Sequence, residues 1–198
     1  MLPKTYDFGI DFFAVVFCAI AVKLVDDFFD RECDKSIGRY NLTQIFGEGS
    51  MLYAMFFLAL AAGLNNKLSL SLFFASYIVG MFNQLRFIFP SRLSGFGESL
   101  VAFLIGLSLF GINYMLFSLC FIVAVQLFDD YADLKKDKDA GQNNFANKFG
   151  EIECIILSFI FLFGAVILND NLIWPVLSGF LIVYFSTQFL AHLKDKEI

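Results

Sequence analysis

Long apolar runs separated by short polar interruptions dominate the chain. Seven runs read as bilayer-crossing helices: residues 8–26, 50–64, 68–89, 96–111, 113–128, 152–168 and 172–191. A spanning helix needs about 20 mostly apolar residues, with a range near 17–25. The second, fourth and fifth runs are short by that measure, so their ends are soft. Helical periodicity adds little, because a helix surrounded by lipid is apolar all round. The pattern predicts an all-α, multi-span transmembrane helical bundle forming one domain over residues 1–198. Lys4, Asp7 and Asp11 lead into the first run and no small-residue cleavage site follows it. It reads as a retained anchor rather than a signal peptide.

The polar interruptions contain a repeat. Asp26-Asp27-Phe28-Phe29-Asp30-Arg31-Glu32-Cys33-Asp34-Lys35 is echoed 103 positions later by Asp129-Asp130-Tyr131-Ala132-Asp133-Leu134-Lys135-Lys136-Asp137-Lys138. Gly38 and Gly141 stand three residues past the lysines, so the repeat covers residues 26–38 and 129–141. Each copy begins where a long apolar run ends. Eight of the thirteen aspartates lie in these two phrases, too concentrated for scattered surface charge.

Composition excludes an ordinary soluble domain. The chain is 59% hydrophobic with 28 Phe, and its mean hydropathy is +0.72, against about 45–50% apolar residues in soluble domains. Lysine and arginine assign an orientation. The odd-numbered connections and the C-terminal tail carry Arg31, Lys35, Arg39, Arg86, Arg92, Lys135, Lys136, Lys138, Lys148, Lys194 and Lys196, against only Lys4 and Lys67 on the other side. An excess of Lys and Arg marks the cytoplasmic face, which places both acidic phrases in the cytoplasm of a multi-pass cell-membrane protein. The net charge of −5 does not conflict, because the rule counts Lys and Arg alone. Cys18, Cys33, Cys120 and Cys154 form no C-x-x-C pair and read as small apolar packing residues without a disulfide. His192 is the only histidine and ends the last run, so neither a Ser-His-Asp triad nor a histidine metal site can be built.

The chemistry therefore falls to the acids. At 100° per residue, Asp27, Asp30 and Asp34 share an arc of about 60° on one helix face, and Asp130, Asp133 and Asp137 repeat it. Lys23 and Gln126 occupy the same faces one turn earlier. Carboxylates at a helix C-terminus oppose the macrodipole and repel each other by roughly 3 kcal/mol at about 6 Å and an effective dielectric of 20. Cations would relieve that cost. Hard oxygen ligands without His or Cys point to Mg²⁺, which commonly bridges carboxylates to phosphate oxygens. The helical spacing does not fit a calcium EF-hand loop. Six carboxylates could hold two or three Mg²⁺ around a diphosphate and neutralise charge as a C–O bond breaks. A diphosphate at the mouth of an apolar bundle implies a hydrocarbon tail in the bilayer, the shape of an allylic isoprenyl diphosphate. Phe28, Phe29 and Tyr131 lie beside the acids, where aromatic faces could steady a carbocation; Tyr77, Tyr114 and Tyr184 read as packing or lipid-facing residues.

These residues resemble a known family. Asp26-Asp27-x-x-Asp30-x-x-x-Asp34 is similar to the first aspartate motif of the UbiA superfamily of intramembrane prenyltransferases, N-D-x-x-D-x-x-x-D, with Asp26 in place of the usual Asn. The stretch from Asp130-Tyr131-Ala132-Asp133 through Asp137 and Gly141 to Phe149-Gly150 resembles the second motif and its trailing segment. Gly97-Glu98-Ser99-Leu100-Val101-Ala102-Phe103 resembles the G-E-x-x-x-x-F segment of the dihydroxynaphthoate branch. The likeness covers roughly residues 10 to 190. It implies a helical bundle with a central cavity open to the cytoplasm and laterally to lipid. It further implies Mg²⁺ as cofactor, with Asp27, Asp30, Asp34, Asp130, Asp133 and Asp137 as metal-binding and catalytic residues. Arg31, Arg86, Arg92, Lys23 and Lys35 are the candidates to grip the diphosphate. The CDP-alcohol phosphotransferases require a Gly after the second Asp, and the soluble isoprenyl synthases are not membrane-embedded. Family members usually have nine spans against the seven expected here. The proline-containing stretch after the first motif is also absent, with Gly38-Arg39 in its place.

The function expected from this reading is Mg²⁺-dependent transfer of an isoprenyl group from an allylic diphosphate to a hydrophobic, aromatic acceptor. One alternative is a terpene cyclase or diphosphate lyase with the same metal site and no acceptor; another is a non-catalytic lipid-binding membrane protein. The expected partners are the isoprenyl diphosphate, the acceptor and the lipid bilayer, with a further copy or subunit closing the lateral opening, and no nucleic acid.

Overall fold

The computed structural model describes residues 7–38, 40–134 and 144–194. All elements among them are helical apart from one isolated bridge, Ile88 to Ser94. Arg39, Lys135, Lys136, Asp137, Lys138 and Gly141, which carry part of the expected second motif and of the charge bias, lie outside the described residues, as do Lys4 and Lys196.

Helix α1 runs Phe8–Ile37, well beyond the apolar run that predicts it. Asp7 caps its start by accepting the N–H groups of Gly9 and Ile10. Gly38 ends it at φ +70°, a left-handed conformation that favours glycine, and returns its N–H to the carbonyls of Asp34 and Lys35. At 1.5 Å per residue this helix is about 45 Å long, against about 30 Å for a hydrocarbon core. A helix of this length crosses that thickness with residues to spare.

A short helix α2, Thr43–Phe46, and a 3₁₀ turn, Gly47–Gly49, lead into α3, Ser50–Gly80. Helix α3 breaks at Asn65, whose backbone is extended (φ −143°, ψ 94°). The Asn65 side chain caps the arm that follows by accepting the Leu68 N–H at 3.1 Å, and donates at 2.6 Å to Asp11, a carboxylate buried near the start of α1. The loop of residues 85–94 precedes α4, Gly95–Phe110. Gly111 (φ +85°) then turns the chain into α5, Ile112–Ala132. After the undescribed stretch come α6, Phe145–Phe149; Gly150 (φ +109°); α7, Glu151–Leu168; an extended Asn169 (φ −160°, ψ 94°); and α8, Asp170–Lys194.

Five helical stretches are long and apolar enough to cross a membrane: Phe8–Ser36, Thr43–Gly80, Ile112–Ala132, Glu151–Leu168 and Asp170–Leu193. The seven expected runs differ from these five at two places. The run at 50–64 and the first part of the run at 68–89 fall in one helical stretch that is broken at Asn65 and ends at Gly80, with a 3₁₀ turn at Met81–Gln84 and loop beyond it, and the run at 96–111 forms a helix of only 16 residues. The helices show lipid-compatible exteriors, with Ile167, Trp174, Phe163 and Leu52 among the exposed large side chains. Five such helices fit an integral membrane protein.

The chain divides into two compact units, residues 1–70 with 171–198, and residues 71–170. In the first, small residues let helices approach closely. A Cβ on Gly179 of α8 would meet Val15 Cγ1 at 3.0 Å and the Phe12 carbonyl at 3.2 Å. Leu24, Leu42 and Ala54 form a buried cluster where α1, the following segment and α3 meet. In the second unit α5 packs on α7, with Leu127, Ala146 and Cys154 buried together. Helix contacts there are sealed by hydrogen bonds. Ser158 Oγ donates to the Ala124 carbonyl at 2.7 Å, Cys154 Sγ to the Leu127 carbonyl at 3.2 Å, and Ser71 and Ser118 share one at 2.8 Å.

Candidate metal and diphosphate site

In the first unit the acids of α1 separate by direction. Asp27 and Asp34 are seven residues apart, which places them only about 20° apart around the helix, whereas Asp30 lies about 60° from Asp27. The structure follows that geometry: Asp27 and Asp34 are buried and Asp30 is exposed. The buried pair faces the segment after the helix. Asp27 Oδ1 receives Lys23 Nζ at 2.9 Å from one turn back, and Asp27 Oδ2 accepts the Leu42 N–H at 2.7 Å. Asn41, also buried, donates through Nδ2 to the Asp27 carbonyl and to Asp34 Oδ2, both at 2.7 Å. Its Oδ1 accepts the Thr43 N–H at 2.9 Å. Burial, and then the charge of Asp27, push the Tyr40 hydroxyl above its ordinary range, which keeps it protonated.

The cations of the first unit are partly engaged by acids. Lys23 also approaches Asp26 at 3.7 Å. Arg31 donates to Glu48 at 3.3 Å, approaches Glu32 at 3.8 Å, and lies 4.6 Å from the centre of the Phe28 ring. Arg31, Glu32, Lys35, Asn41, Thr43 and Gln44 line an open cavity of about 340 Å³. Phe28 thus already has a cation on its face, and Phe29 is exposed.

The second unit repeats these bonds. Asp130 Oδ1 receives Gln126 Nε2 at 2.9 Å, and Oδ2 accepts the Phe145 N–H at 2.8 Å. Asn144 donates through Nδ2 to the Asp130 carbonyl at 2.6 Å, and its Oδ1 accepts the N–H groups of Ala146 and Asn147. Every partner stands 103 residues after its counterpart: 23 and 126, 27 and 130, 41 and 144, 42 and 145. The end of the acidic helix differs between the copies. Helix α5 stops at Ala132, and Asp133 is its C-cap (φ −96°, ψ 7°), so the second arc does not continue as helix through Asp133 as expected. Asp130 and Asp133 are both buried, and Asp137 lies outside the described residues.

Arg86 and Arg92 stand exposed on the loop before α4, and neither joins the ion pairs among the described residues. Arg92 adopts a left-handed conformation at φ +65°. In the Gly97-Glu98 segment, Glu98 accepts the hydroxyls of Tyr77 and Ser91. Just before it, Gly95 sits so close to the Gln84 carbonyl that a Cβ would lie 2.3 Å from the oxygen.

Among the described residues no three acidic, histidine or cysteine side chains form a ready-made cation cage. The donor set is nonetheless all oxygen. Mg²⁺ keeps several waters and needs only one or two carboxylates beside substrate phosphates. Asp27 and Asp34 in one unit, and Asp130 and Asp133 in the other, are buried oxygen donors, whereas Asp30 is exposed.

Asn41 and Asn144 are the site residues that the motif as read leaves out. The signal for them is the same 103-residue offset carried further. Beyond Gly38 and Gly141 the two copies agree again at Asn41/Asn144, Phe46/Phe149, Gly47/Gly150 and Glu48/Glu151, and before the acids at Ala21/Ala124, Val22/Val125 and Leu24/Leu127. Comparison of the chain with protein-family models, with curated proteins and with solved structures finds no match.

Proposed function

We propose that the protein is a Mg²⁺-dependent intramembrane prenyltransferase, a short relative of the UbiA superfamily. It moves an isoprenyl group from an allylic diphosphate to a hydrophobic, aromatic acceptor. The observation that carries this reading is the duplicated acid arrangement: two helix ends, each with a second aspartate held by the same three bonds. A solvated surface patch has no need of matched hydrogen bonding in two copies. In this reading the Asn65 break divides α3 into two spans, α4 crosses as a short one, and seven spans place both acidic helix ends at the cytoplasmic face.

Bound Mg²⁺ would neutralise the charge that gathers on the departing diphosphate oxygen. Asp27, Asp30 and Asp34 would hold metal at the first acidic phrase, and Asp130, Asp133 and Asp137 at the second. Lys35 and Arg31, beside the cavity of the first unit, would hold the diphosphate, with Lys23, Arg86 and Arg92 as further cations. The allylic C–O bond breaks with its electron pair on diphosphate. A C–C bond then forms to the acceptor ring, which loses a proton to restore aromaticity.

The test uses purified protein in nanodiscs with geranyl, farnesyl or geranylgeranyl diphosphate, with and without Mg²⁺ and a dihydroxynaphthoate, read by mass spectrometry. The expected result is Mg²⁺-dependent diphosphate release, accelerated by the acceptor, with a prenylated product. A cyclic hydrocarbon formed without acceptor would replace the transferase by a cyclase. Binding without release of any allylic diphosphate would leave a lipid-binding protein.

A further inference from the structure

Asn41 and Asn144 do the same thing in two different surroundings. Each follows its second aspartate by 14 residues, each is buried, and each ties the main chain of a short helix to the main chain of the acidic helix. The neighbouring residues differ, Leu42-Thr43-Gln44 in one copy and Phe145-Ala146-Asn147 in the other. Beside the apolar contacts of each segment, what recurs is the amide, its spacing and its bonds.

The amide controls the acid through the next residue. With Asn41 bound to the Asp27 carbonyl, the Leu42 N–H is delivered to Asp27 Oδ2; with Asn144 bound to the Asp130 carbonyl, the Phe145 N–H is delivered to Asp130 Oδ2. The other oxygen of each carboxylate is taken by Lys23 or Gln126. A carboxylate gripped at both oxygens is held in one orientation. Ligands fixed in direction in this way bind metal more tightly, because their ordering precedes binding.

We propose that Asn41 and Asn144 are matched positioning residues. Each folds the segment after its acidic helix back onto the second aspartate and so sets the direction of that carboxylate. Asn41 additionally holds Asp34 through the same Nδ2. The consequence for metal binding rests on the function proposed above; the folding-back of the segments does not.

The full chain in detergent decides it, with Asn41→Ala, Asn144→Ala, and the serine variants of both. Serine can still cap the turn but is too short to reach the aspartate carbonyl. Hydrogen exchange read by mass spectrometry over residues 42–47 and 145–149 should rise by about 10-fold in the altered copy and not in the other. Binding of Mn²⁺ in the presence of inorganic diphosphate should weaken by about 10-fold, the scale found when a partner that orients a metal ligand is removed. Unchanged exchange in both segments overturns the proposal. Faster exchange with unchanged Mn²⁺ affinity also overturns it, leaving a purely structural amide. If the wild-type protein binds no Mn²⁺ with diphosphate, the metal reading of the site fails, and the exchange result alone decides whether the asparagines fold the segments back.

Discussion

Lys23 and Gln126 occupy the same place in their copies but differ by one charge. Both reach Oδ1 of the second aspartate at 2.9 Å, so the hydrogen bond is common and position 23 carries a charge that position 126 lacks. Replacing Lys23 by Gln should leave the geometry intact and raise Mn²⁺ affinity about three- to tenfold, the scale of roughly 1 kcal/mol for a partly exposed charge. Gln126→Lys should do the reverse in the second unit. Weaker Mn²⁺ binding by Lys23→Gln without diphosphate would refute this account. The acids themselves should also separate. Asp27→Asn turns an NH₂ group toward Lys23 or the Leu42 N–H and should cost about 1–3 kcal/mol of stability, the range for a lost hydrogen bond to a charged group. Exposed Asp30→Asn removes one of several neighbouring carboxylates and should leave the melting temperature unchanged or raised. Thermal unfolding in detergent distinguishes the two, while both should lose most Mg²⁺-dependent turnover.

At the scale of elements, single residues decide where helices stop. Asn65 has three tasks: it interrupts α3, caps the next arm and satisfies buried Asp11. Asn65→Ala removes a cap worth about 1 kcal/mol and leaves Asp11 with one donor fewer, so the melting temperature should fall clearly. An unchanged melting temperature would show that the Asp11–Asn65 bond contributes nothing. Gly95 marks a close approach. The 85–94 loop returns through Gly95 N–H to the Phe87 carbonyl and Phe96 N–H to the Leu85 carbonyl, with the Gln84 carbonyl against the Gly95 Cα. Gly95→Ala should cost about 1–3 kcal/mol, because main chain must move to admit the methyl group. A variant as stable as wild type would mean that the loop yields without strain.

For the whole molecule, the testable property is sidedness. Cysteine probes at Gln44 and Asn147, beside the two acidic helix ends, should label from the cytoplasm, and probes at Asn66 and Asn169 from the opposite side. The 11-to-2 distribution of Lys and Arg motivates this expectation. Labelling of positions 44 and 147 on opposite sides would overturn the orientation read from Lys and Arg. The order of elements repeats along the chain. An acidic helix, a short helix, a long apolar helix and an extended asparagine follow one another in α1, α2, the first arm of α3 and Asn65, and again in α5, α6, α7 and Asn169.

Lipid-compatible helices and a duplicated acidic phrase were legible in the sequence alone, because both are patterns of residue type at fixed spacing. So was the near-alignment of Asp27 and Asp34, seven residues apart, which follows from 3.6 residues per turn. The partners of those acids were not. A carboxylate at position 27 gives no sign that it will accept a main-chain N–H from position 42, since that bond exists only once Gly38 has ended α1 and the chain has turned back. Nor does an asparagine at 41 announce that its amide will span Asp27, Asp34 and Thr43. Span boundaries were equally out of reach. Hydropathy measures transfer to lipid, whereas Asn65, Gly111 and Asn169 interrupt helices through single backbone conformations stabilised by tertiary hydrogen bonds or by freedom from a Cβ. Residue chemistry determined what the chain is made to contact; only the folded backbone decided which of its acids are held and which remain open.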